Sequence, residues 1–161
     1  MIKIDKNVND VNFILDNLRK EDLEELIALW GNNWKEKVLK NTLNFDFFTL
    51  FGKNKEGKLV PIAFGGFAQV LNDNPEIVCA WLLCSEYIEF NKKYLLKNIK
   101  EQLIIAKTKY QIMYNFIYKS NFESKRWLKR FGFNFDNPKP KGMQVPNNFE
   151  FFYINNEKGI S

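Results

Sequence analysis

The spacing of apolar positions along the first third of the chain predicts two helices. Residues 12–18 are expected to form a short extended segment. Within residues 20–30 the apolar side chains then recur every three or four positions, which is the spacing of one helix face. Gly31 predicts the end of this helix, and residues 34–39 predict a second, shorter one.

Three strands are predicted to follow. Residues 45–51 and 59–70 read as the two arms of a hairpin around the polar turn at 53–58. The pair Gly65-Gly66 predicts a β-bulge in the second arm. Residues 77–84 are continuously apolar, which is typical of a central strand that is covered on both faces.

A long helix and a further strand come next. Asn91 is expected to cap a helix that runs to about Lys109. Residues 110–118 show the two-residue alternation of a strand. Asn121 then opens a short helix, for which Gly132 is the expected C-terminal glycine.

The last part of the chain completes the predicted architecture. Residues 133–135 are expected to be extended, residues 138–146 form a loop with Pro138, Pro140, Gly142 and Pro146, and residues 149–154 form a final strand before a polar tail. The order of elements predicts an α/β fold: a mixed central sheet of six to seven strands with helices on both faces, in a single domain over residues 1–161.

Composition narrows the possible chemistry. A chain with 45% hydrophobic and 27% charged residues is expected to fold into a compact domain. No apolar run approaches the roughly 18 to 20 residues that span a bilayer, so no membrane contact is expected and the protein should be soluble and intracellular. The absence of histidine removes the usual zinc sites and the histidine-dependent nucleophiles, and no metal site is predicted. Cys79 and Cys84 are expected to be reduced and buried.

The net charge of +5 permits an anionic partner. Lysine outnumbers arginine 21 to 3, which favours solvated surface over base recognition. The densest basic group could bind phosphate, either of nucleic acid or of a coenzyme ribose, or it could simply face water while Trp127 and Phe131 face the core. This group consists of Lys119, Lys125, Arg126, Lys129 and Arg130.

The helix after Asn121 resembles the late helix of the GCN5-related N-acetyltransferase (GNAT) family. The matching positions are Asn121, Ser124, Gly132 and Phe133. In that pattern the asparagine caps the helix, the small residue permits the close approach of a ligand or strand, and Gly-Phe ends the helix. The resemblance implies a GNAT-like fold and, if the chain is active, acetyl-CoA as cofactor.

Two departures from the family pattern weaken the implied activity. Leu128 stands where the family carries the tyrosine that protonates the coenzyme thiolate, and an aliphatic side chain has no proton to donate. The family's glycine-rich diphosphate turn is also missing, because no glycine occurs between Gly66 and Gly132. Instead, Glu86 and Glu89 would face the diphosphate, although Lys92 and Lys93 could offset them.

An active enzyme would therefore need a divergent site. In that hypothesis Glu86 deprotonates the acceptor amine through a water molecule, as implied by the GNAT resemblance. The implied cofactor-binding residues lie at the end of the central strand, in the first turn of the long helix and at the head of the late helix. They are Leu83, Cys84, Ser85, Lys92, Lys93, Asn121 and Ser124.

The segments 80–86 and 126–133 also resemble the acetyltransferase-like internal virion or assembly proteins of short-tailed bacteriophages. The resemblance covers roughly a third of the chain. It implies a protein partner from phage or host, a role in virion assembly or host takeover, and a location in the host cytoplasm or the virion. The leading hypothesis is accordingly a GNAT-like protein with a degenerate acetyl-CoA site, the first alternative is an active N-acyltransferase, and the weaker alternative is a nucleic-acid-binding protein.

Overall fold

A computed structural model describes residues 2–3, 7–70, 74–135 and 143–156. Within these ranges the helices are α1 Val8–Asp16, α2 Lys20–Trp30, α3 Trp34–Thr42, α4 Lys92–Lys109 and α5 Phe122–Arg130. The strands are β1 Ile2–Lys3, β2 Phe48–Lys53, β3 Leu59–Ala68, β4 Ile77–Cys84, β5 Ile112–Tyr118 and β6 Phe149–Asn155. Short 3₁₀ helices lie at Gly31–Asn33 and Glu86–Phe90.

The predicted fold class is confirmed. The strands form one mixed sheet in the order β1-β2-β3-β4-β5-β6, with five strands of six or more residues and a two-residue β1. The pairs β1–β2, β2–β3 and β5–β6 are antiparallel, whereas β4 and β5 are parallel. A parallel pair requires a crossover between its strands, and α4 supplies it.

The predicted extended segment at residues 12–18 is wrong, because most of it belongs to α1. The side chain of Asn7 accepts a hydrogen bond from the N–H of Asn9 and so caps the helix. Val11, Ile14 and Leu15 then fall on one buried face at three- and four-residue spacing.

The bulge predicted at Gly65-Gly66 lies elsewhere. The register between β2 and β3 shifts between Leu50 and Phe51, opposite Ile62, while Gly65 pairs regularly with Phe48. The glycines serve close packing instead. A Cβ on Gly65 would lie 2.4 Å from the carbonyl oxygen of Trp81, and one on Gly66 would lie 2.7 Å from that of Asp46.

The chain divides into two compact units. The first comprises residues up to 68 and residues 81–98, and it holds α1 to α3, β2, β3 and the end of β4. Its core is formed by Val11, Ile14, Leu15, Leu26, Val38, Phe47 and Phe64, with Trp30, Trp34 and Trp81 packed against it. Phe64 meets Phe47 and Trp81 edge to face, at ring-centroid distances of 6.0 and 5.4 Å.

The second unit comprises residues 69–80 and those from 99 onward. Here the first half of β4 pairs with β5 from Ile77 to Cys79, and β5 pairs with β6 along its whole length. Phe152 is buried on one face of this hairpin and meets Phe133 edge to face at 5.1 Å. The prediction of a single domain stays a prediction.

Several smaller expectations have mixed outcomes. Cys79 and Cys84 are free thiols; Cys84 is buried and Cys79 half-buried. The prediction that both faces of β4 are fully covered is wrong, because only Val78 and Cys84 are buried along this strand. Residues 136–142, with Pro138, Pro140 and Gly142, and the tail from 157 lie outside the described residues. In the described part of the chain, no helix is long and apolar enough to cross a bilayer.

Candidate functional site

The end of β4 is held by three consecutive main-chain donors. The N–H of Cys84 donates to Asp22 Oδ2 at 2.7 Å, that of Ser85 to the Ile62 carbonyl at 2.8 Å, and that of Glu86 to the Asn17 carbonyl at 2.8 Å. The Ser85 hydroxyl also reaches the Ile62 carbonyl, at 3.2 Å. Every donor from 84 to 86 is therefore committed to a partner within the first unit.

Asp22 is the centre of a buried ion pair that sequence reasoning did not single out. Its Oδ1 accepts a hydrogen bond from Arg19 Nη2 at 2.6 Å, while its Oδ2 takes the Cys84 N–H. The side chains of Arg19 and Asp22 are only 8% and 5% exposed. The Arg19 main-chain N–H donates back to the Cys84 carbonyl at 2.9 Å. The pair thus links the start of α2 to the end of β4.

Opposing effects act on the pKa values of this pair. Burial raises the pKa of Asp22, whereas the Arg19 guanidinium and the Cys84 N–H act to lower it. Burial by itself would lower the pKa of Arg19, but the Asp22 carboxylate reverses this and the net shift is upward. Burial is the largest effect on Asp22, so its pKa is raised overall, which favours the neutral acid. The raised pKa of Arg19, in contrast, requires a charged Asp22 beside it. Because both of its oxygens accept hydrogen bonds, one of them from a guanidinium, we take the pair to be ionised at neutral pH.

The connection from β4 to α4 is a packed 3₁₀ helix rather than an open turn. Ile88 is fully buried within it. Asn91 follows, and its side-chain amide accepts from the Lys53 N–H at 3.2 Å and donates to the carbonyls of Lys53 and Tyr87, both at 2.9 Å. Asn91 precedes α4 as predicted, but its side chain clamps the connection to β2. A Cβ on Gly52 would lie 2.5 Å from this amide, so the clamp requires glycine there.

The charged candidates of this segment lie on its surface. Glu86 and Lys93 are exposed, while Lys92 forms an ion pair with Glu89 at 3.1 Å. Leu83 is half-buried, whereas Cys84 and Ser85 are buried. Glu86 thus begins the 3₁₀ helix, whereas Lys92 and Lys93 lie in the first turn of α4.

Asn121 and Ser124 lie in the second unit, apart from the other candidates along the chain. The Asn121 side chain accepts a hydrogen bond from the Ser124 N–H at 3.3 Å, which confirms its predicted capping role. Gly132 ends the helix with a positive φ of 94°, as its position predicted. Leu128 is half-buried, and its carbonyl accepts the Phe133 N–H at 3.0 Å.

The structure separates the predicted basic group into two sets. Lys125 is only 16% exposed and pairs with Glu150 at 2.5 Å, a partner that the sequence did not indicate. The other four, Lys119, Arg126, Lys129 and Arg130, are exposed. Among the described residues, no three His, Cys, Asp or Glu side chains are grouped so that they could hold a metal ion.

Comparison with known proteins identifies the fold. No protein-family model matches the chain, and no curated protein sequence matches it. A domain from Methanocaldococcus jannaschii superposes with a TM-score of 0.69 at 14% identity, covering 96% of this chain and 97% of that one. A GNAT superfamily phosphinothricin acetyltransferase from Sinorhizobium meliloti, in complex with acetyl-CoA, gives a TM-score of 0.65 at 14% identity, covering 96% and 87%.

Spermidine N-acetyltransferase from Vibrio cholerae, in complex with CoA and spermine, gives a TM-score of 0.62 at 12% identity. That match covers 98% of this chain and 96% of the enzyme. At such low identities the likeness establishes the fold alone. The chain has the fold of the GNAT acetyltransferases, which confirms the GNAT-like prediction.

Proposed function

We propose that this GNAT-fold protein works through association with other proteins and not through standard acetyl-CoA turnover. One observation argues against standard turnover: the main-chain donors at the end of β4 are bound to Asp22, Ile62 and Asn17. An enzyme that holds its coenzyme on main-chain N–H groups at this position needs those donors free. Here they stabilise the protein itself.

The residues of the connection do not fit a coenzyme diphosphate. A diphosphate needs a cluster of inward-pointing N–H groups, which flexible glycines usually provide. The Glu86–Phe90 helix has no glycine, is fixed by the buried Ile88 and the Asn91 clamp, and carries the carboxylates of Glu86 and Glu89. Lys92, which would offset them, is already paired with Glu89.

Isothermal titration with acetyl-CoA tests the proposal. No saturable heat is expected below about 0.1 mM acetyl-CoA, while a spermidine N-acetyltransferase titrated in parallel checks the ligand and the instrument. Binding at one site with a micromolar or lower Kd would overturn the proposal. The same titration with CoA separates recognition of the acetyl group from recognition of the nucleotide.

The finer form of the proposal is a role in virion assembly or host takeover of a short-tailed phage. It is supported by the resemblance of segments 80–86 and 126–133 to acetyltransferase-like virion proteins. Mass spectrometry of gradient-purified particles from an infected culture distinguishes the two roles. A fixed copy number per particle supports assembly, detection only in the host lysate supports takeover, and absence from infected cells contradicts both.

An active N-acyltransferase is the second candidate, because Glu86 is an exposed carboxylate directly after the central strand. The S. meliloti enzyme of the same fold binds acetyl-CoA, and this chain would use it as well. In this candidate Glu86 takes the proton of the acceptor amine through a water molecule. Acyl transfer from labelled acetyl-CoA to a panel of amines should then be lost in Glu86→Gln and retained in Glu89→Gln, a matched change on the same 3₁₀ helix. Equal rates in both variants would remove Glu86 from the mechanism.

A further inference from the structure

The outer face of α5 carries an exposed aromatic ring in line with three cations. Phe122 is 69% exposed, the largest value among the exposed large hydrophobic side chains of the described residues. Arg126, Lys129 and Arg130 are also exposed. Because they follow Phe122 by four, seven and eight positions, all four side chains project from one side of the helix. We call these four residues the α5 stripe.

The remaining residues of α5 leave the charge of the stripe open to solvent. Lys125 is not counted in the stripe, because its ammonium pairs with Glu150; it also lies 5.7 Å from the Phe122 ring centroid and 5.9 Å from that of Phe135. Lys129, a member of the stripe, lies 5.6 Å from the Phe135 ring centroid and is still exposed. Arg126 and Arg130 have no ion-pair partner among the described residues. Lys119, exposed just before the helix, adds a further positive charge. Glu123 is the single carboxylate of α5.

We propose that the α5 stripe binds single-stranded nucleic acid. The cations complement a row of phosphates, and an exposed phenyl ring complements the flat face of an unpaired base. A duplex offers the phosphates but keeps its base faces stacked, so it would use the cations and leave Phe122 unused. This inference is independent of whether the chain binds acetyl-CoA.

An anionic membrane fits these observations less well. A helix that lies on a membrane presents a broad apolar face to the lipid together with its basic residues. In α5 the larger apolar side chains, Trp127 and Leu128, are half-buried and point away from the stripe. Phe122 alone remains on the outer side.

The dimensions of the stripe set the size of its ligand. The eight residue steps from Phe122 to Arg130, at about 1.5 Å rise each, span about 12 Å, so the stripe is long enough to contact only a few nucleotides of a single strand. Three phosphate contacts on a single strand predict that log Kd changes with log salt with a slope of about 2.

Fluorescence anisotropy with a labelled dT20 oligonucleotide at 50 to 200 mM salt tests the proposal. The triple variant R126Q/K129Q/R130Q is expected to bind at least tenfold more weakly and to lose most of the salt slope. The matched control is K97Q/K100Q/K109Q, which removes the same charge from exposed positions of α4 and should retain most of the affinity. Equal losses in both triple variants would show that only net charge matters and would overturn the proposal.

Replacement of the aromatic ring provides the second arm. Phe122→Leu is expected to weaken binding about tenfold, because stacking is lost, whereas Phe122→Tyr should bind like the unaltered chain. The salt slope should be unchanged in both variants. Three outcomes would each refute the single-strand assignment. They are an unchanged affinity in Phe122→Leu, a preference for duplex over dT20, and binding to vesicles of anionic lipid without binding to dT20.

Discussion

Replacement of Asp22 by alanine should be among the most damaging single changes in the chain. The substitution removes the acceptor of both Arg19 Nη2 and the Cys84 N–H. Arg19 is 6% exposed, so its guanidinium would remain buried with only the exposed carboxylate of Glu21, 3.7 Å from its Nε, as a nearby counter-charge.

The contacts of Asp22 allow the loss in the free energy of unfolding to be estimated. Breaking a buried ion pair by removing one partner costs about 3–5 kcal/mol, because the other charge stays buried without its hydrogen-bonded counter-charge. Leaving the Cys84 N–H without its acceptor adds about 1–3 kcal/mol. Since the free energy of unfolding of a native protein is typically about 5–15 kcal/mol, we expect Asp22→Ala to unfold a measurable fraction of the protein at 25 °C.

Urea unfolding followed by tryptophan fluorescence measures the effect, and Trp30, Trp34 and Trp81 report on the first unit. A double-mutant cycle separates the ion pair from packing. Arg19→Met alone and Asp22→Leu alone should each destabilise, but the double variant Arg19→Met/Asp22→Leu should cost clearly less than these two single changes added together. A loss below about 1 kcal/mol for Asp22→Ala, or strictly additive costs, would refute the reasoning.

Three further predictions concern packing, the thiols and the clamp. Gly65→Ala should destabilise by about 1–3 kcal/mol, seen as a lower Tm, because its Cβ would lie 2.4 Å from the Trp81 carbonyl oxygen. Burial raises the pKa of Cys84 and raises that of Cys79 to about 12, so neither thiol should react with Ellman's reagent at pH 8 before unfolding. Since the folded pKa values exceed the unfolded value of 9.0, the thiol contribution to stability is complete below pH 9 and is lost as pH rises towards 12. Asn91→Ala should lower the urea midpoint, with a loss of about 1–3 kcal/mol for its side-chain hydrogen bonds, and unchanged stability would contradict the clamp.

The sequence was most informative where periodicity and local capping decide the structure. Strand β4, helix α4 and the helix after Asn121 were predicted to within a few residues, because their apolar repeats and end signals are local. Helix α1 was missed although Asn7 caps it, because its apolar face holds only three buried residues.

The contacts that define the candidate site could not be predicted in the same way. Asp22 and Cys84 are 62 positions apart, and Lys125 and Glu150 are 25 apart, so nothing in the local pattern connects them. Asp22 also reads as an ordinary acidic residue in the first turn of a helix. The separation of Lys125 from its basic neighbours likewise depends on β6, which lies beyond the helix in sequence.

The hydrogen bonds at the end of β4 also limit the affinity with which this chain could bind acetyl-CoA there. A ligand that used the N–H groups of residues 84–86 would first have to break two bonds to carbonyls and one to the Asp22 carboxylate. Bonds to neutral acceptors contribute about 0.5–1.5 kcal/mol each and those to charged acceptors about 1.5–3, so their loss would cost about 2.5–6 kcal/mol. A coenzyme site that would otherwise have a micromolar Kd, about 8 kcal/mol of binding free energy, would be weakened by roughly two to four powers of ten. The Asp22 carboxylate that stabilises the fold is thus also the group that most opposes coenzyme binding at β4.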